Sequence, residues 1–254
     1  MKLINIEGRV DVAIDRLQQF EPPEGYYLAF SGGKDSIVLH ELARMSGVKF
    51  DAHYSITSVD PPEVIRFIRE NYPHVSMDRP GTTMWELIPK KLIPPTRLMR
   101  YCCEVLKEVG GDGRVVLTGV RWAESRKRIG WRIVQGCKKT GKVIVCPIVD
   151  WEDGEIWEFV KWRGLKYPSL YDEGFSRLGC IGCPLSGNQR NELSRYPKFR
   201  ANYIRAFERM IKNRLAKGRT TQWKTGEDVM AWWVGESAPK PKQEQLEIGG
   251  GDET

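Results

Sequence analysis

Two groups of residues in this 254-residue sequence combine side-chain type and spacing in a way that does chemistry. The first is Ser31-Gly32-Gly33-Lys34-Asp35-Ser36. Adjacent glycines let main-chain amides approach an anion with no Cβ in the way, and a turn between a strand and a helix makes such amides converge. Lys34 adds a point charge, and Ser31 and Ser36 add hydroxyl donors. Asp35 suits a helix cap or a carboxylate that helps hold a metal-bound phosphate. The spacing is neither GxxxxGK[ST] nor GxGxxG. An ordinary capped glycine turn is the plain alternative, and the strand-turn-helix setting favours the anion site over it.

The second group is the cysteines. Cys102-Cys103 is an adjacent pair, and Cys180-Ile181-Gly182-Cys183 is a CxxC pair. CxxC alone is unspecific, but four thiolates bind zinc or an iron-sulfur cluster. Both pairs lie among polar and charged residues, Arg100 and Glu104 at one and Ser176 and Arg177 at the other. Cys146, in the apolar run 143–148, reads as a core residue. Cys137, beside Lys138 and Lys139, has a setting that lowers a thiol pKa and reads as non-catalytic. Arg121, followed by Glu124, Ser125 and Arg128, comes directly after an expected strand, and its planar fork suits phosphate or sulfate. Arg126 and Lys127 read as solvated. Asp60, after another expected strand, suits a ribose hydroxyl or a metal.

The elements that must position these groups follow from periodicity. Val10, Ala13, Ile14, Leu17 and Phe20 predict a helix over 9–20, and an apolar strand over 26–30 runs into the glycine-rich turn. Ile37 to Ala43 predict a second helix, 50–56 a strand, 62–70 a helix, Val75 a short strand and 115–120 another strand. A hairpin around Lys138 to Gly141 and a helix from about Asp153 follow. This alternation predicts an α/β fold, an open and mostly parallel sheet with helices on both faces. Right-handed crossovers put the loops after the strands on one ligand-binding edge. Tyr203, Phe207, Met210 and Ile211 form one stripe of a helix over 199–214 with a basic outer face, the centre of a helical C-terminal extension. The expected organisation is a nucleotide-binding domain over 1–190, a helical extension over 191–236 and a disordered tail over 237–254.

At 41% hydrophobic residues the chain buries one substantial core. A net charge of +7 and a pI near 9.1 favour anionic partners. Glu7, Asp11 and Asp15 interrupt the N-terminus, which therefore reads as neither signal peptide nor membrane span. The expectation is a cytoplasmic protein without a membrane partner, whose cysteines serve metal or redox chemistry rather than disulfides.

As a whole, SGGKDS resembles the PP-loop of ATP pyrophosphatases and sulfonucleotide reductases. Together with the CC and CxxC pairs it is similar to the phosphoadenosine phosphosulfate (PAPS) reductase family, including its cluster-bearing reductases and the related sulfur-transfer enzymes of DNA phosphorothioation. The resemblance covers roughly 24–190. Gly119-Val120-Arg121 through Arg128 is similar to that family's arginine-bearing substrate loop, and Pro147, Asp150, Trp151, Asp153, Ile156 and Trp157 resemble an architectural stretch. The resemblance implies an adenine nucleotide, ATP with Mg2+ or PAPS or adenosine phosphosulfate (APS), held by Ser31 to Ser36, Asp60, Arg121 and Arg128. It implies catalytic roles for Lys34, Asp35 and Arg121, and a 4Fe-4S cluster on Cys102, Cys103, Cys180 and Cys183, with zinc as the alternative.

Reductases of the family carry a nucleophilic cysteine in a C-terminal Glu-Cys-Gly-Leu-His segment, and no cysteine follows Cys183 in this sequence. The leading expectation is therefore ATP-dependent sulfur transfer through an adenylylated acceptor, with a sulfur donor such as cysteine desulfurase. Reduction of PAPS or APS to sulfite with a reductant such as thioredoxin is the alternative, and a non-catalytic nucleotide- and cluster-binding subunit is a third. Eight Lys or Arg residues between 121 and 142 also admit nucleic acid as a partner.

Overall fold

The structure, a computed structural model, describes residues 6–136 and 141–236. Cys137, positions 138–140 of the expected hairpin and the tail from Ser237 lie outside the described residues. In chain order the elements are α1 (Ile6–Gln19), β1 (Tyr26–Ala29), α2 (Lys34–Ser46), β2 (Phe50–Ser55), α3 (Pro62–Asn71), β3 (Ser76–Asp78), α4 (Met84–Lys91) and α5 (Tyr101–Leu106). Then come β4 (Val115–Leu117), β5 (Val134–Gly136), β6 (Val143–Val145), α6 (Asp153–Trp162), α7 (Gln189–Arg195), α8 (Pro197–Ala216) and α9 (Gly226–Trp233).

The six strands lie in the order β3-β2-β1-β4-β6-β5. Pairings are parallel except β5 against β6, the antiparallel edge. From β1 the chain steps outward through α2 to β2 and through α3 to β3, then returns past β1 to β4. Strand order thus reverses at β1, and the turn after β1 sits at the switch point where open α/β sheets bind ligands. Strand β4 is shorter than the expected 115–120. The chain leaves the ladder after Leu117 so that Gly119 can pass the first turn of α2, where a Cβ would lie 3.0 Å from the Asp35 carbonyl oxygen.

Two apolar cores follow from this path. The first joins the sheet to α1, α2, α3 and α6, with Leu17, Leu28, Ile37, Leu39, Ile68 and Phe159 fully buried; each such side chain contributes about 1.5–3 kcal/mol. Arg16 donates to Asp150 at 2.7 Å and to the Pro147 carbonyl at 2.7 Å, fixing α1 to the loop before α6. The second core joins α4, α5, α7, α8 and α9, with Ile88, Tyr203, Phe207 and Met210 at its centre. The stripe expected on the C-terminal helix is the one α8 buries, and its main partners are α4 from the middle of the chain and α9. Tyr203 donates to the Ile181 carbonyl at 2.9 Å and Trp233 to the Pro95 carbonyl at 2.6 Å. These bonds tie the helical region to both cysteine segments. No helix among the described residues is long and apolar enough to cross a membrane.

Candidate functional site

The glycine-rich turn forms the end of β1 and the first turn of α2. Gly32 has φ 70°, a left-handed conformation that favours glycine. Ser31 and Ser36 hydroxyls are 3.1 Å apart, and Ser36 donates to the Gly33 carbonyl at 2.9 Å. Gly33 leaves room for the Tyr171 hydroxyl, 3.3 Å from where a Cβ would stand, and that hydroxyl accepts the Lys34 amide at 2.9 Å.

Beside the turn four charges form a closed ring. Lys34 Nζ lies 3.3 Å from Asp35 and 3.4 Å from Asp153. Arg121 Nε donates to Asp35 at 2.7 Å, its Nη2 to Asp153 at 2.6 Å, and its Nη1 to the Trp151 carbonyl at 2.8 Å. Burial works against the Arg121 charge, and the Asp35 and Asp153 carboxylates overcome it and hold the guanidinium pKa above its usual value. For Asp153 burial pushes upward, while Arg121 and Lys34 bring its pKa below the usual carboxylate range.

Sequence reading aims the Arg121 fork at a phosphate. In the structure Arg121 is 1% exposed and its fork meets Asp35, Asp153 and the Trp151 carbonyl, so it shapes the turn. Arg128 pairs with Glu124 and lines neither the cavity beside the turn nor the cysteine cavity. The Asp60 carboxylate accepts from the Thr57 amide and hydroxyl, both at 2.7 Å, and so holds a turn in place of reaching freely for a ribose or metal. Lys34 and Asp35 stand at the turn as expected.

Next to the turn is a cavity of about 180 Å³ on the polar face of β1 and β2, lined by Tyr27, Ser31, His53, Asp60, Lys107 and Gly179 among others. His53 is clamped between carboxylates, with Nδ1 2.8 Å from Asp78 and Nε2 against Asp51. Tyr27 stacks on its ring at 4.2 Å. A second cavity of about 170 Å³ is lined by Cys102, Cys103, Cys180 and Cys183 together with Arg100, Lys107, Gly179 and Tyr203. The two cavities share Lys107 and Gly179.

All four of these cysteines are free thiols. The hydrogen bond from Cys102 lowers the Cys103 pKa to about 6, with further help from Arg100. Cys102 moves the other way, chiefly through that same bond and then through burial, and burial raises Cys183. Lys107 lies beside Cys180, and that neighbour holds the Lys107 pKa above the usual lysine value. Among the described residues no three His, Cys, Asp or Glu side chains are gathered as a ready site for a single ion. Four soft thiols around one cavity, one of them readily ionised, are nevertheless the donor set that iron-sulfur clusters use. Cys146 is fully buried with its pKa raised by burial to about 11, a core residue as its sequence surroundings suggest.

Sequence reasoning missed Lys107, Tyr171 and the ionic part played by Asp153. Lys107 falls one helical turn after Cys103, a spacing that places the two side chains on one face and was a usable signal. Tyr171 carried none, since its partner Lys34 lies 137 residues away.

An open α/β sheet that carries a glycine-rich turn at its switch point, beside a cavity large enough for part of a nucleotide, defines a nucleotide-binding protein class. Within it, the family model for the phosphoadenosine phosphosulfate reductase domain matches residues 25–186, and the chain belongs to that family. An uncharacterized protein of Methanocaldococcus jannaschii is 30% identical over 172 residues, 63% of this chain and 41% of that protein, so the chain spans less than half of this relative's length. An adenosine 5'-phosphosulfate reductase of Staphylococcus haemolyticus is 26% identical over 191 residues, 66% of this chain and 75% of that enzyme. The crystal structure of phosphoadenylyl-sulfate (PAPS) reductase from Candida auris, a phosphate complex, superposes with a TM-score of 0.51 at 16% identity over 71% of this chain and 97% of that one. That likeness shows a shared fold.

Proposed function

We propose that the chain is an enzyme that binds an adenine nucleotide at Ser31 to Ser36, holds a 4Fe-4S cluster on Cys102, Cys103, Cys180 and Cys183, and transfers sulfur to an acceptor that it first adenylylates. One observation carries this reading: the cavity beside the glycine-rich turn and the four-cysteine cavity adjoin through Lys107 and Gly179. Phosphate chemistry and sulfur chemistry thus share a wall. In this reading residues 1–190 carry the nucleotide site, and residues 191–236 brace the cysteine cavity through Tyr203 and Trp233.

Amides of the turn, the Ser31 and Ser36 hydroxyls and the Lys34 ammonium bind and orient the phosphates, with ATP arriving as its Mg2+ complex. An acceptor oxygen attacks the α-phosphorus and pyrophosphate leaves; a sulfur nucleophile then displaces AMP. Fixed donors stabilise the charge that grows on the phosphate oxygens. Arg121 acts as a positioning residue that fixes Asp35 and Asp153, and Asp60 fixes the turn that walls the cavity. The cluster, when bound, supplies a place to hold sulfur next to the nucleotide, and the low pKa of Cys103 favours the thiolate that ligation requires.

The name of the staphylococcal relative supports a second reading, reduction of APS or PAPS to sulfite with an external thiol reductant. Turnover with ATP, APS and PAPS separates the two. Release of pyrophosphate from ATP that depends on acceptor and sulfide supports sulfur transfer. Sulfite from APS or PAPS replaces it with reduction, and neither product under anaerobic conditions refutes both.

A further inference from the structure

A third concavity lies on the far side of the 57–60 turn. It encloses about 620 Å³ and is lined by Ile56, Ser58, Asp60, Ile65, Arg66, Arg69 and Arg79 among others. Asp60 lines both this groove and the cavity beside the glycine-rich turn, so the two are separated by one turn of chain.

The arginines of the groove differ from the nine that the fold engages in ion pairs. Arg9, Arg16, Arg44, Arg114, Arg121, Arg128, Arg163, Arg195 and Arg200 are each paired to a carboxylate. Arg66, Arg69 and Arg79 make no ion pair or side-chain hydrogen bond among the described residues, and all three are exposed. The acids nearby do not neutralise them: Asp60 is turned onto Thr57, and Glu70, on the same lip, pairs with none of them. Arg66 and Arg69 stand three residues apart on α3, neighbours on one helix face with Cβ atoms about 5–6 Å apart. Arg79 follows β3 on the opposite side. The wall between groove and cavity is also strained. Ser58 adopts φ 64°, left-handed for a non-glycine residue, and is held there as its hydroxyl accepts the Met84 amide at 2.9 Å. Strain of this kind persists where surrounding contacts impose it, and it concentrates at binding sites.

We propose that this groove binds the phosphate backbone of a nucleic-acid strand, and, resting on the function proposed above, that the strand is the acceptor presented across the 57–60 turn to the activated nucleotide. Unpaired guanidiniums match phosphate through paired N–H donors, and three of them along an open groove suit a repeating anion better than a single small one. The apolar floor of Ile56 and Ile65 contributes contact area without reading sequence.

The test is the salt dependence of binding to a fluorescent 20-nucleotide single-stranded RNA and to DNA of the same sequence. Wild type binds, and the triple variant Arg66→Gln/Arg69→Gln/Arg79→Gln flattens the slope of log affinity against log salt by about 2, since every phosphate that a side chain neutralises on a single strand accounts for about 0.7 of that slope. Binding in low salt falls at least ~10-fold. A control triple, Lys161→Gln/Lys166→Gln/Lys217→Gln, removes equal charge from the surface and leaves the slope in place. Retained adenine-nucleotide affinity and circular dichroism show that the arginine variant is folded. No strand binding by wild type, an unchanged slope in the arginine variant, or displacement of the strand by polyglutamate at equal charge overturns the proposal, the last pointing to an acidic protein. Failure of nucleotide turnover removes the acceptor role and leaves the strand-binding result readable by itself.

Discussion

At the glycine-rich turn Lys34, Asp35, Arg121 and Asp153 neutralise one another within the protein. At the cysteine cavity a few residues away, the thiols of Cys102 and Cys183 are held back from ionising by their neighbours and by burial, while Cys103 is driven toward it. The first region joins a contiguous motif at the end of a strand to Arg121 and Asp153 from later in the chain, and its four charges balance. The second is assembled from segments that start at Cys102 and Cys180, and the helical core formed by α4, α5, α7, α8 and α9 holds it in shape. A turn whose charges are balanced thus stands beside four thiols of which one, Cys103, is driven toward ionising. The turn should therefore respond to changes in its support as a rigid unit, and the cavity to the loss of any one donor.

The largest effect expected at the turn comes from Arg121. Arg121→Met leaves Asp35, Asp153 and the Trp151 carbonyl without their shared donor and is expected to lower stability by about 3 kcal/mol in denaturant unfolding, with nucleotide affinity falling as well. Arg121→Lys should rescue little of this, because an ammonium cannot reproduce a fork that serves three acceptors. Full rescue by lysine would mean that charge, not geometry, supports the turn.

Away from both regions, His40 sets an acid limit on the sheet core. Burial, then the nearby His74 at 2.7 Å, lowers its pKa to about 4. The unfolded chain therefore takes up this proton first, and stability falls as pH drops from about 6.5 to about 4 and levels off below, a loss on the order of 3 kcal/mol. His40→Phe should flatten that part of the pH–stability curve. If the curve is unchanged, the acid sensitivity resides in the two functional regions instead.

Gly32→Ala probes the turn alone. A left-handed alanine costs about 1–2 kcal/mol, and its Cβ would lie 2.9 Å from Ile68 Cδ1; thermal unfolding should show the loss while metal content stays the same. The smallest change is Tyr171→Phe, which removes one hydrogen bond to the Lys34 amide and about 1 kcal/mol. A larger loss would show that Tyr171 carries more of the turn than that bond.

The turn was legible in the sequence because its six residues are contiguous and their setting between strand and helix follows from periodicity. The role of Arg121 was not, because sequence displays the side-chain type and hides the partners, here 86 and 32 residues distant. The four cysteines could be named from spacing and resemblance, yet the cavity wall could not. Helix α5 has only six residues and too little periodicity to register, and Tyr203 looks like any member of an apolar stripe. The α/β alternation was readable, while the pairing of α8 with α4 depends on tertiary packing that no local pattern encodes.

In the proposed function the cysteine cavity is a cluster site joined to the nucleotide site. The most direct measurement is iron, acid-labile sulfide and zinc content after anaerobic purification of the wild-type chain and of Cys102→Ser, Cys103→Ser, Cys180→Ser and Cys183→Ser, each with its adenine-nucleotide affinity. The expected result is about four irons and four sulfides per chain, the content of one 4Fe-4S cluster, lost in every serine variant while nucleotide still binds. Stoichiometric zinc without iron, or iron that survives all four substitutions, would contradict it.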